Sequence, residues 1–160
     1  MSRNREFVNI KDAETVGVLF QPVDDKSFET VKFFLKSLTE EGKQIFAIGY
    51  VDSPKIPDFY LLRKGINFFC KHDLSLFFRP EPVFVDDFIE REFDLLINLS
   101  VDNLYPLEYI YALSKAKFKA AKSLNGSDHS DLTIDIKTNR DVEFLIQQIT
   151  HYLSLINKKE

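Results

Sequence analysis

Apolar residues along this chain come in short continuous blocks, separated by stretches in which they recur at every third or fourth position. The first block, TVGVLF (Thr15 to Phe20), reads as a strand that ends at Gln21-Pro22, because proline cannot continue a ladder. The stretch DDKSFETVKFFLKSLTEEGK then places Phe28, Val31, Leu35 and Leu38 on one helical face. Asp25 or Ser27 can cap this helix, Glu29 suits its positive end, and Gly42 stands where a left-handed C-cap belongs. QIFAIGYVD (Gln44 to Asp52) is apolar nearly throughout, as befits a parallel strand covered on both sides. Prolines 54, 57, 80 and 82 break up the middle, where one or two short strands are expected within Ile66 to Phe78. VDDFIEREF predicts a short helix with Asp87 and Glu90 in capping-box spacing. FDLLINLS supplies a strand from Leu95 to Leu99, and PLEYIYALSKAK a helix capped by Asn103 with Pro106 in its first turn. FKAAKS and LTIDI are strands on either side of a turn at NGSD. In NRDVEFLIQQITHYLSLINKKE, Val142, Leu145, Ile146, Ile149, Leu153 and Ile156 form a closing helical stripe.

This alternation predicts a single α/β domain over residues 1–160, three-layered and Rossmann-like. Its sheet is expected to be mainly parallel, of five or six strands, with helices on both faces.

Composition narrows the function classes. A net charge of −4 argues against nucleic acid or an anionic membrane as the main partner, since phosphate-binding domains carry a basic excess. Arg3 and Arg5 are followed by Lys11, Asp12 and Glu14 instead of an apolar run, so no signal peptide is expected. No stretch approaches the ~18 apolar residues of a membrane span. Cys70 is the single cysteine, which rules out an internal disulfide. The expected location is the cytoplasm. Phenylalanine is abundant, 16 residues against no tryptophan and one methionine, and a phenylalanine-packed core is the simplest use for it.

The sharp catalytic motifs are missing. The five glycines are too scattered for G-x-G-x-x-G or a P-loop, so no nucleotide cofactor is expected. Cys70 and His72 stand two apart, but His129 and His151 lie far along the chain with no second cysteine, and no metal is expected. Each of the acidic pairs Asp24-Asp25 and Asp86-Asp87 begins a predicted helix, where capping accounts for it. Asp128 and Asp131, with Ser127 and Ser130, read as a solvated loop. Lys115, Lys117, Lys119 and Lys122 form the one basic cluster. Lysines there fit a helix's last turn and an exposed strand edge, with an anion site as the alternative.

Two helices carry more apolar surface than one face can use. Phe33 lies nearly opposite the first helix's stripe, and Phe144 and Leu155 lie behind that of the last, beside Gln148 and His151. Phe33, Phe144, His151 and Leu155 are therefore the interface candidates. Middle segments of the same chain could cover them, or a second copy or another protein.

The segments VGVLF, EGKQIFAIGYVD, PDFYLLRKGINFF, EFDLLINLS, PLEYIYALSKAKFKAA, DLTIDI and QQITHYLSLI together resemble a small bacterial family known as a domain of unknown function, across nearly the whole chain. That resemblance implies one cytoplasmic domain and carries over no catalytic residue. FDLLINLS and LSKAKFKAA are also similar to part of the N-terminal half of heptosyltransferase-type glycosyltransferases. There, too, a D-L-x-I-x-L strand precedes a helix and a basic strand. This second likeness implies a Rossmann-like topology with no activity attached.

Two functions follow as expectations. The leading one is a non-enzymatic cytoplasmic interaction or regulatory domain, working through the aromatic outer faces of its helices as a homodimer or with a protein partner. The alternative is a small-ligand-binding or transferase-like enzyme with its site at the carboxyl ends of strands one and four. Asp24, as base, would line that site with Asp25 and Ser27 on one side, and Ser100, Asp102 and Asn103 on the other.

Overall fold

The computed structural model describes residues 3–61, 65–123 and 129–157. The turn expected at NGSD, with Ser127 and Asp128, and the last three residues of the closing segment lie outside them. The elements follow in the order β1 (Thr15–Phe20), α1 (Asp25–Glu40), β2 (Gln44–Val51), α2 (Asp58–Leu61) and β3 (Ile66–Cys70), then a 3-10 turn (Lys71–Asp73). After these come α3 (Val83–Glu90), β4 (Leu95–Asn98), α4 (Tyr105–Leu113), β5 (Lys119–Lys122), β6 (Leu132–Ile134) and α5 (Val142–Ser154).

The strands form one six-stranded sheet in the order β3-β2-β1-β4-β5-β6, and every neighbouring pair is parallel. This is the doubly wound, Rossmann-like arrangement, three layers deep. The helices divide because side chains alternate across each strand. In β1, Val16, Val18 and Phe20 point to the layer that holds α1 and α5, while Leu19 points to the layer that holds α3 and α4. The first layer's core adds Phe28, Val31, Leu35 and Leu38 from α1 and Leu145, Ile149 and Leu153 from α5. Phe28 sits in a ring cluster with Phe20, Phe59, Tyr60 and Phe68, so much of the phenylalanine excess is core. Among the described residues, no helix is long and apolar enough to cross a membrane.

Several local expectations need correction. α1 is capped by Asp24, not Asp25 or Ser27: its carboxylate accepts from the Ser27 N–H at 2.7 Å, and Ser27 completes the box. α3 begins earlier than its acidic residues suggested. Pro82 is its N-cap with no side-chain bond, which leaves Asp86 in the first turn and Asp87 inside the helix, so Asp87 and Glu90 form no capping box. Leu104, not Asn103, occupies the N-cap of α4. Lys119 was expected on an exposed edge, but β5 lies inside the sheet with β6 beyond it, and Lys119 is buried.

Candidate functional site

Strand order reverses between β1 and β4, which are hydrogen-bonded neighbours. α1 leaves β1 toward one face and α4 leaves β4 toward the other, which is how such sheets open a crevice at their carboxyl ends. The sequence-chosen residues gather here, but each already has a local occupation. The Asp24 carboxyl is held below its ordinary value, first by the Ser27 backbone N–H and then by the Ser27 side chain. Such a carboxylate is a weak base at neutral pH. Asp25 is exposed in the first turn of α1. Buried Ser100 donates its hydroxyl to the Asp102 carbonyl at 2.6 Å, while its N–H donates to Asn98 Oδ1 at 3.0 Å. Asp102 pairs with Arg140, and Asn103 Oδ1 accepts from Lys122 Nζ. One group in this neighbourhood, just past the end of β1, is unsatisfied: Gln21 Oε1 is buried with no hydrogen-bond partner among the described residues.

A concavity lies on the outer surface of the α1/α5 layer. It is a groove of about 890 Å³ between the two helices, floored by Phe34, Leu38, Ile146 and Ile10 and edged by Lys26, Glu29, Glu41 and Glu143. Phe33 lines it and is 75% exposed. The cause is helical geometry: Phe28, Val31, Phe34, Leu35 and Leu38 face the sheet, and Phe33 points the opposite way. Of the other interface candidates, His151 is exposed and Leu155 is 59% exposed near the end of α5. Phe144 is half-buried against the first-layer core instead of free on the outer face. The groove's Thr30, Ser37 and Thr150 went unnoticed in the sequence, since nothing in one helix's pattern tells which neighbour lies beside it.

A family model described as a family of unknown function (DUF6913) matches residues 1–156. The chain belongs to that family. No curated protein sequence matches it.

The basic cluster and the reactive side chains complete the chemistry of this DUF6913 chain. Lys119 reaches from β5 to the end of α4, where its Nζ donates to the Tyr111 and Ala112 carbonyls at 2.7 and 3.2 Å. Burial, and then the nearby Arg3 charge, bring its ammonium down to about 8, although Asp131 opposes the shift. The contacts describe a C-terminal cap delivered from a strand. Asp131, expected in a solvated loop, is instead a side chain 3% exposed that binds Arg3, Arg5 and the Lys119 backbone N–H. Cys70 is buried with its Sγ directed at the Pro54 carbonyl, and burial raises its thiol above the ordinary value, away from thiolate chemistry. His72 is exposed in the turn that follows.

The carboxyl end of the sheet also displays apolar side chains. A tight reversal closed by the Leu74–Pro80 bridge exposes Leu76, Phe77 and Phe78, with Phe78 at φ 63°.

Proposed function

We propose that this chain is a non-enzymatic cytoplasmic interaction domain whose working surface is the outer groove between α1 and α5. The observation that carries the reading is Phe33: a large apolar side chain three-quarters exposed beside a groove of about 890 Å³ with an apolar floor. Exposed aromatic anchors next to apolar depressions are the features that dominate binding energy in protein interfaces. The internal engagement of Asp24, Ser100, Asp102 and Asn103 supports the same reading, because a site for a polar ligand presents free donors and acceptors.

An environment-sensitive naphthalene-sulfonate dye checks the groove. Its fluorescence is expected to rise with the wild-type chain and to fall for Ile146→Glu, which places a charge in the floor of the groove. Equal fluorescence with a folded Ile146→Glu variant would count against an accessible apolar groove.

The second reading is a small-molecule site at the switch point, and Gln21 Oε1, buried and without a partner among the described residues, favours it. Thermal-shift measurements against nucleotides, nucleotide sugars and sugar phosphates separate the two. The interaction reading expects no stabilisation; the ligand reading expects stabilisation by one class, lost in Gln21→Leu.

A further inference from the structure

Resting on that reading, we propose that the groove's occupant is a second copy of this chain, docked with α1 antiparallel to α1 about a two-fold axis at Phe33. Several charges on α1 run against its own dipole. A helix is stabilised by acidic groups at its amino end and basic groups at its carboxyl end. Here Asp24 and Asp25 suit the amino end, but Lys26 lies beside them in the first turn, while Glu40 and Glu41 close the helix with no basic residue in its last turn. Intrahelical pairing compensates little of this. Lys36 reaches Glu40 at only 4.0 Å, with both side chains largely exposed, and Lys32 pairs with Glu29 farther back.

The spacing of these charges is self-complementary. Lys26, Phe33 and Glu40 are separated by seven residues each, so they fall on one stripe of α1. That stripe is its outermost line, opposite the buried Phe28, Val31, Leu35 and Leu38. Lys26 and Glu40 stand at equal distances on either side of Phe33, about 10 Å along the axis. An antiparallel pair centred on Phe33 therefore sets Lys26 of one copy against Glu40 of the other, twice per dimer. On the flanks of that stripe, Glu29 then faces the second copy's Lys36, and Thr30 its Ser37. The two helix dipoles oppose each other, and each Lys26 sits near the negative end of the facing helix. Each Phe33 comes down beside the other copy's α1/α5 groove, with Phe34, Leu38 and Ile146 as its floor. A two-fold contact of this kind is closed and stops at the dimer.

Charge exchange tests the arrangement. Sedimentation velocity over a concentration series is expected to show a monomer–dimer equilibrium for the wild-type chain. Phe33→Asp should abolish the dimer, and Lys26→Glu or Glu40→Lys alone should weaken it at least about tenfold, because each sets like charges face to face. The double variant Lys26→Glu with Glu40→Lys should recover wild-type association. Each reversal also suits the dipole of its own helix end, so loss of dimer cannot be laid to a weakened α1. A wild-type chain that stays monomeric, a double variant no better than the singles, or growth beyond the dimer would overturn the proposal. A monomeric chain whose position 33 still cross-links to a different protein would defeat self-association alone and leave the interaction reading standing.

Discussion

Asp131→Ala is expected to destabilise the fold by about 3 kcal/mol, the order seen when one partner of a buried ion pair is removed. The carboxylate ties together three parts of the chain. It accepts from Arg3 at 2.8 Å and Arg5 at 2.6 Å in the amino-terminal segment, and from the Lys119 backbone N–H at 2.9 Å in β5. Removing it leaves Arg3, whose side chain is only 15% exposed, with the Ala116 and Lys117 carbonyls as its remaining partners. Urea unfolding measures the loss, and faster tryptic cleavage after Arg3 and Arg5 reports release of the segment. The sign of the pH dependence follows from the same contacts. Burial alone would raise the Asp131 carboxyl, but the Arg3 side chain, the Lys119 N–H and the Arg3 and Arg5 charges outweigh it and hold it below the ordinary value. Its stabilising contribution is therefore complete above the unfolded carboxylate range and is lost as pH falls through the depressed folded value. Asp131→Asn should flatten the acid limb of the stability profile; an unchanged limb would mean the carboxylate is not held as described.

Gly49→Val is expected to cost about 3 kcal/mol, at the upper end for overpacking. A Cβ at Gly49 would stand 2.6 and 2.7 Å from Phe68 ring carbons and 2.9 Å from Phe20 Cζ. Those rings cannot retreat freely, because Phe28 and Tyr60 pack behind them with ring centroids 5.9 and 5.2 Å from that of Phe68. β2 therefore needs glycine for close approach, not for unusual backbone angles. Thermal melting of the folded variant measures the effect, and a shift of less than about 2 °C would show that the aromatic cluster is loosely packed.

The parallel sheet was legible because strands buried on both faces read as near-continuous apolar blocks, as in TVGVLF and FDLLINLS. Apolar blocks do not say which strands are neighbours, so the pairing of β1 with β4 entered only as a condition and is supplied by the sheet itself. Helix starts were less legible, since several polar residues compete for each cap. Asp24 took the place expected of Asp25 or Ser27, while α3 and α4 begin with no side-chain cap at all. Lys119 was misplaced for a physical reason: KAAK looks like a solvated edge until the sheet order puts β6 outside it, and only then must the lysine be buried and find the α4 carbonyls. The outward direction of Phe33 was readable from one helix, but the groove beside it required knowing that α5 is the neighbour of α1.

Photo-cross-linking in the cell shows whether the outer α1/α5 surface meets a protein. A photoreactive phenylalanine analogue is placed at position 33, with the same analogue at Val23, exposed at the carboxyl end of the sheet, as the comparison. A discrete protein adduct is expected from position 33 and none from position 23, with the mass of twice the chain if the partner is a second copy. No adduct at position 33, or adducts confined to position 23, would contradict it.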